Sequence, residues 1–369
     1  MRRVLVLSHT YLQPAHRGKL RALAARGLEV TVAIPQRWRE PWFGRPIDVA
    51  WERQGGLEVF PLPARGMGKG ELAKAKYGRR ALKALLRDRR PDLVQIEEEP
   101  TTIAAKQVLG AARRLGIPVV LLTHQNVDLQ LDWWLRWKHR RLLKKLTGLV
   151  AGSDLAGTLA RQDAPNLPIA VIPQLGAIAP HEPQHVPHEG LAIGFVGRLV
   201  PQKGLDNLLQ ALALQRSAKW RLTIVGDGPE RERLEQLASE LRLAARVRWT
   251  GGLPAEQVAN LWPDLDVLVM PSRGSAQWRE SNGQILMEAM AHEVAVLGTN
   301  SGVIPELIGD AGIVVPDGDL ESMAAALESL SDLNTRRNLA QAARARALRL
   351  YSDDAIAERT LEFWRQVVK

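Results

Sequence analysis

At 369 residues, 46% of them apolar and 24% charged, the chain has the composition of a globular protein and is too long for one ordinary core, which predicts two domains. It holds no cysteine, which excludes disulfides, thiolate metal sites and a cysteine nucleophile, and no apolar run reaches the roughly 18–20 residues that span a bilayer. The net charge of +10 arises wholly in residues 1–190, where 30 Lys and Arg face 17 Asp and Glu, against 20 and 23 in residues 191–369; a positive first half favours anionic partners.

The opening stretch MRRVLVLSHTYLQPAHRG reads as a strand followed by an exposed turn; His9 cuts its apolar core too short for a signal peptide, so a cytoplasmic chain is expected. Short apolar runs then follow at intervals: LEVTVAIP, PDLVQIE, IPVVLLTH and TGLVAGS, separated by helical stretches such as EPTTIAAKQVLGAARRLG. The segment VIPQLGAIAPHEPQHVPHEG lacks periodicity and is rich in Pro and His, which predicts a linker. His181, His185 and His188 are expected there as solvated side chains, since no acidic or cysteine ligands stand nearby to make a metal site. The second half repeats the pattern with LAIGFVGR, WRLTIVGDG, RVRWTGG, DVLVMPS, VAVLGTN and GIVVP. Near-continuous Val, Ile and Leu strands alternating with helices predict parallel sheets covered on both faces, hence an α/β fold of two doubly wound, Rossmann-like domains. The expected boundaries are a basic domain over 1–175, a linker over 176–190, a second domain over 191–352, and a C-terminal helix over 353–369 returning to the first domain.

Doubly wound sheets bind ligands where strands turn into helices. The first such turn, SHTYLQPAH, has no glycine to admit a pyrophosphate in the dinucleotide-binding manner. FVGRLVPQKGLDNLLQAL differs: Gly197, Arg198, Lys203 and Gly204 precede a helix and offer a diphosphate both amides and cations, although such cations also occur simply solvated. In TIVGDGPERERLEQL, Gly226 and Gly228 make either a tight turn or a ligand contact. DVLVMPSRGSAQWRESNGQILMEAMAHEVAVLGTN runs strand, loop, helix, strand and puts Glu280 before the helix and Glu288 inside an apolar helical run. A partly desolvated carboxylate needs a partner, either a sugar or ribose diol or an internal cation.

Taken together, RESNGQILMEAMA with its E-x7-E spacing, FVGRLVPQKG and SGVIPELIGDAGIVVPDGD, in that family's order, make residues 191–320 resemble glycosyltransferase family 4, the retaining nucleotide-sugar transferases of GT-B fold. The first half resembles it more loosely through PDLVQIEEEPTT, VVLLTHQNVD and GLVAGSDLAGTL. The resemblance implies two Rossmann-like domains facing across a cleft. It implies a hexosyltransferase that moves a sugar from a UDP- or GDP-sugar to a hydroxyl acceptor in cell-surface glycan, polysaccharide or glycolipid synthesis. Arg198 and Lys203 would hold the donor diphosphate, Glu288 the ribose, and Glu280 the donor sugar; Gly197, Gly226 and the amides of Ser281, Asn282, Gly283 and Gln284 would line the donor, with Gly251, Gly252 and Leu253 near the base. His124 would reach the sugar from the first domain, with Glu97, Glu98 and Glu99 on the acceptor side. Two departures matter: Ser281-Asn282-Gly283-Gln284 stands where many members have Gly-Phe-Gly-Leu, making the sugar end more polar, and the early glycine pair is missing, leaving Tyr11 and Arg17 as acceptor-side contributors. The implied transfer retains anomeric configuration, needs no cofactor or metal, and lets the departing phosphate take the acceptor's proton. Asp264-Leu265-Asp266 precedes a strand and is expected to be structural.

LDWWLRWKHRRLLKKL aligns Leu131, Leu135, Leu142 and Leu146 beside a basic stripe and three tryptophans, which fits either a packed helix with a solvated face or an interfacial helix on anionic lipid. Other readings are a nucleotide-sugar epimerase of similar architecture, a catalytically inactive relative, and a basic nucleic-acid-binding protein, the last without any recognisable nucleic-acid module.

Overall fold

A computed structural model describes residues 1–38, 47–66, 75–128, 130, 132–215 and 219–368. The chain forms two compact units, residues 1–176 with 353–369, and residues 177–352.

In the first unit, β1 (Arg3–Leu7), β2 (Glu29–Pro35), β3 (Glu52–Gln54), β4 (Leu57–Leu62), β5 (Leu93–Glu97), β6 (Val119–Thr123), β7 (Gly148–Ala151) and β8 (Ile169–Val171) form one sheet ordered β8-β7-β6-β5-β1-β2-β4-β3. All pairings are parallel except that of β3 with β4. The helices are α1 (Gly18–Ala25), α2 (Arg79–Arg89), α3 (Ile103–Arg113), α4 (Trp133–Leu143) and α5 (Asp154–Asp163). Thr102 and Ser153 cap α3 and α5 by accepting the amides of Ala105 and Ala156, so each helix starts directly after a strand-end loop. The β3–β4 hairpin and β8 do not follow from the sequence pattern. Glu58 and Pro61 interrupt the apolar run of β4, and the buried Glu58 carboxylate is held by Arg89, which donates to both its oxygens at 2.7 and 2.8 Å, and by Trp51 and Thr31, which donate at 2.9 and 3.0 Å.

The second unit contains β9 (Leu191–Val196), β10 (Trp220–Val225), β11 (Val247–Gly251), β12 (Val267–Met270), β13 (Ala295–Thr299) and β14 (Ile313–Val315), all parallel in the order β11-β10-β9-β12-β13-β14. Its helices are α6 (Leu205–Leu214), α7 (Arg231–Glu240), α8 (Ala255–Ala259), α9 (Gln284–Ala291), α10 (Ile304–Ile308), α11 (Leu320–Ser329) and α12 (Leu333–Leu350). The chain winds outward from β9 to β11, then restarts at β12 on the other side of β9, so the topological switch point lies between β9 and β12. In the first unit the same reversal falls between β1 and β5.

The expected linker is partly packed. Ala177 pairs with Ser352, the Val186 amide donates to the Pro263 carbonyl at 2.8 Å, and His188 Nε2 stands 3.4 Å from Asp266. Only His181 and His185 of the three histidines are exposed. The last helix, α13 (Asp353–Val367), belongs to the first unit, where Ile356, Leu361, Phe363 and a wholly buried Trp364 join the core. Trp364 donates its indole N–H to Gln95 in β5 at 2.7 Å, which satisfies two polar groups buried in that core.

Candidate functional site

At the second unit's switch point the loops after β9 and β12 meet. After β9, Gly197 and Arg198 lead into a single turn, Pro201–Lys203, and Gly204 then takes a left-handed conformation with φ of 63° that starts α6. After β12, Ser272 and then Glu280 follow at the sheet's carboxyl edge. Lys203 Nζ lies 2.5 Å from Glu280 Oε2, and Ser272 Oγ donates to the same oxygen at 2.9 Å. The amide of Asn282 donates to Glu280 Oε1 at 3.4 Å. The two partners differ in exposure: the Glu280 side chain is 4% exposed and that of Lys203 is 18%, so the carboxylate is dry while the ammonium can still be reached from solvent. Gly302, at φ of 57°, packs so closely that a Cβ there would stand 2.0 Å from the Glu280 carbonyl, which fixes the backbone behind that carboxylate. Trp278 covers the pair, its ring centroid 5.8 Å from Lys203 Nζ. Arg198 is exposed at the strand end.

Glu288, one turn into α9, is half-buried, and Gln284 donates to its Oε1 at 3.0 Å. Asn282 accepts the Gln284 amide at 3.0 Å and so acts as a local cap for α9. The two residues whose polarity distinguishes this loop therefore both have partners inside it. Gly283 is buried against Leu307, while Ser281 is half-buried. Gly226 lies against the Gly197 carbonyl, where a Cβ would come within 1.8 Å, so the turns after β9 and β10 are packed together. Gly251 ends β11 and Gly252 and Leu253 follow it, and the Gly251 carbonyl accepts the Gly226 amide at 2.8 Å. All of the donor-side residues read from the sequence thus lie along one edge of one sheet. Asp266 accepts the Ala192 amide at 2.8 Å and pairs with Arg336 at 3.3 Å, which gives it a structural partner set.

At the first unit's switch point the carboxylates after β5 are all engaged. Glu97 Oε1 accepts from Tyr11 at 3.1 Å, Lys19 at 3.0 Å and Gln95 at 2.7 Å, while Gln174 donates to Oε2 at 2.9 Å. Burial raises the Glu97 pKa, but the charge of Lys19 and the bonds from Gln174, Lys19 and Gln95 outweigh it and bring the group below its usual value. Burial, with Glu97 beside it, pushes the Tyr11 phenol well up. Tyr11 and Arg17, read from the sequence as acceptor-side contributors, are both engaged inside the first unit. Tyr11 is fully buried, and Arg17, 5% exposed, donates to the Tyr11 carbonyl at 2.8 Å and pairs with Glu52. The expectation of an exposed turn after β1 fails for the same reason: Tyr11 and Leu12 belong to the core. Glu98 meets His9 Nδ1 at 2.9 Å, and Glu99 accepts the Thr123 hydroxyl at 2.5 Å and the His124 amide at 2.7 Å. His124 Nε2 lies 3.0 Å from the Gln174 side-chain oxygen, its ring packed over Gly152, where a Cβ would meet Nδ1 at 2.4 Å.

Four contributors escape sequence reasoning. Ser272 and Trp278 flank the Lys203–Glu280 pair, and Gln174 and His9 join the cluster after β5. Only Ser272 carries a local signal, its place just after a strand end; Gln174 reaches its partners from 50 or more positions away.

Residues 180–346 match the family model described as glycosyl transferases group 1, and residues 14–174 match that of a glycosyl transferase 4-like domain. A GDP-mannose-dependent alpha-(1-6)-phosphatidylinositol monomannoside mannosyltransferase of Mycolicibacterium smegmatis is 38% identical over 141 residues, 37% of this chain and 37% of that protein. A 2-deoxystreptamine N-acetyl-D-glucosaminyltransferase of Streptomyces fradiae is 33% identical over 50% of this chain and 44% of its own, so the chain spans less than half the length of either relative. Among solved structures, the sucrose-phosphate synthase of Thermosynechococcus elongatus superposes with a TM-score of 0.75 at 20% identity, covering 100% of this chain and 99% of that one. HepE of Anabaena, solved with UDP-glucose, superposes with a TM-score of 0.71 at 18% identity over 99% of this chain and 100% of its own.

Proposed function

Since the chain belongs to the family 4 type of GT-B glycosyltransferases, we propose that it moves a sugar from a nucleotide diphosphate sugar to a hydroxyl acceptor with retention at the anomeric carbon. The observation that carries this reading is the Lys203–Glu280 pair, held at a switch point beside the start of α9 by residues 77 positions apart. A donor diphosphate would draw on Lys203 and Arg198, whose fixed charges stabilise the negative charge that grows as the sugar leaves. Glu280 would then exchange its cation for sugar hydroxyls, and Ser272 keeps the carboxylate oriented throughout. Glu288, with Oε1 already bonded by Gln284, is oriented for a ribose diol. Gly251, Gly252 and Leu253 lie near the base in this reading. The charge stabilisation is assigned to Arg198 and Lys203, so the reading calls for neither metal nor cofactor. The acceptor's proton passes to the departing phosphate oxygen, which removes the need for an enzymic general base.

The relatives named above use GDP-mannose or act on a lipid or aminocyclitol acceptor by their names, and HepE was solved with UDP-glucose. A glycan or lipid-linked acceptor, in synthesis of a cell-surface glycan or glycolipid, fits this range, with UDP- and GDP-sugars as the donors to try first. Saturation-transfer NMR over UDP-, GDP- and ADP-sugars identifies the donor. Glu288→Ala is expected to weaken its binding about tenfold or more, and Lys203→Ala to lower kcat by about a hundredfold with a smaller change in KM. Binding of no nucleotide sugar by the intact chain, or full activity in both variants, would sink the reading.

A further inference from the structure

The face formed by α3 and α4 takes no part in the sites described so far. We propose that it is a docking surface for an anionic phospholipid bilayer. A groove of about 670 Å³ runs between the two helices, lined by Lys106, Arg113, Arg114, Lys138, Arg141 and Lys145 together with Trp137 and short apolar positions, and no carboxylate is among its lining residues. Six cations around one groove repel one another, which is a standing cost that a sheet of phosphates would remove.

Beside the groove, the first two turns of α4 are held off the core. Only Leu142 and Leu143 of that helix are buried, while Trp133 is 86% exposed, Trp134 46%, Trp137 50% and Leu135 41%. Leu131, which completes the apolar stripe in the sequence, lies outside the described residues. Three exposed indoles on one short helix make an apolar patch of a kind that soluble surfaces seldom carry without a partner. The patch and the groove are physically joined. Lys138 Nζ sits 3.4 Å from the centroid of Trp134, and the Arg141 guanidinium 4.6 Å from that of Trp137, so each cation is mounted on an indole one turn before it. Indole beside ammonium or guanidinium matches the headgroup layer, where rings sit at the polar boundary and cations meet phosphates. The same stacking takes up one face of each of two rings, which disfavours base stacking and hence single-stranded nucleic acid as the occupant. Among the described residues no helix is long and apolar enough to cross a membrane, so this contact is a surface one.

Flotation of the full chain with vesicles of phosphatidylcholine, alone or mixed with phosphatidylglycerol, tests the proposal. Binding is expected only to the mixed vesicles and is expected to fall as salt is raised. The triple variant Lys138→Glu, Arg141→Glu, Lys145→Glu should lose about a hundredfold or more of that affinity. Trp133→Ser, at a side chain almost wholly in solvent, should lose several-fold with no change in melting temperature, and it carries the test should the triple variant unfold. The proposal is overturned by absence of binding to mixed vesicles, by binding unchanged in both variants, or by a preference for free pyrophosphate or single-stranded RNA that leaves vesicles unbound. Because no nucleotide sugar enters this measurement, its failure leaves the donor assignment standing, and failure of the donor assignment leaves it standing in turn.

Discussion

At Asp353, where the chain enters α13, burial pushes the carboxyl from its usual 3.8 up to about 6, against the partial relief of the Lys19 charge and of a hydrogen bond from the Lys19 amide. Between about pH 4 and 6 the folded protein therefore holds a proton that the unfolded chain releases. Stability from this group is complete below about pH 4 and is lost as pH rises through 6, by at most about 3 kcal/mol. Asp353→Asn keeps an oxygen for the Lys19 amide and removes the titration. We expect it to raise the melting temperature at pH 7.5 by several degrees and to flatten the profile between pH 4 and 6; an unchanged profile would show that the carboxyl does not titrate there. Glu97 acts in the opposite sense, since its lowered pKa gives stability that is present above its unfolded value of 4.5 and lost on further acidification. Neither behaviour is legible in the sequence, where Glu97, Glu98 and Glu99 look alike. Their fates are decided by Lys19, His9 and Thr123, which come from other elements. The spacing of Glu280 to Glu288 singles it out in the sequence, but its pairing with Lys203 needed two loops to be brought together.

Among elements, the strands were the most legible, because parallel strands buried on both faces must be written in Val, Ile and Leu, and β1, β2, β5, β6 and β7 of the first unit follow that rule, as do β9, β10, β12 and β13 of the second, whereas the edge strands β11 and β14 are only partly buried. The β3–β4 hairpin escaped because an edge element tolerates Glu58 and Pro61. The turn after β1 was misread because its apolar residues, Tyr11 and Leu12, show no periodicity, and their burial in the first unit's core, with the Tyr11 hydroxyl donating to Glu97, comes from residues distant in sequence. The contribution of α13 rests on its tryptophan. Trp364→Ala removes a wholly buried side chain and the indole N–H bonded to the Gln95 side-chain oxygen, so a loss of about 3–5 kcal/mol is expected, read as a shift in the urea midpoint at unchanged slope. A shift worth less than about 1 kcal/mol would mean that the core collapses around the gap.

For the whole molecule, the decisive fact is that the chain leaves the first unit at Gly176 and re-enters it at Asp353. Residues 177–352 hold an uninterrupted six-stranded sheet with its own apolar clusters, so this fragment is expected to give a soluble product with a single cooperative melt. Residues 1–176 lack Ile356, Phe363 and Trp364, and are expected to aggregate or to melt without a sharp transition unless a peptide of residues 353–369 is supplied. A cooperative melt for residues 1–176 alone would show that α13 is dispensable to that core.

The position of α13 also sets an order of events during synthesis. The first half of the chain leaves the ribosome early, yet its core stays open until everything between Gly176 and Asp353 has been translated. The intervening unit can close on itself meanwhile, whereas the earlier strands, apolar on both faces, wait with an unsealed surface. A message broken at Asp353 thus yields a product whose second unit is sound and whose first is exposed, a mark by which chaperones and proteases can tell an unfinished chain from a finished one.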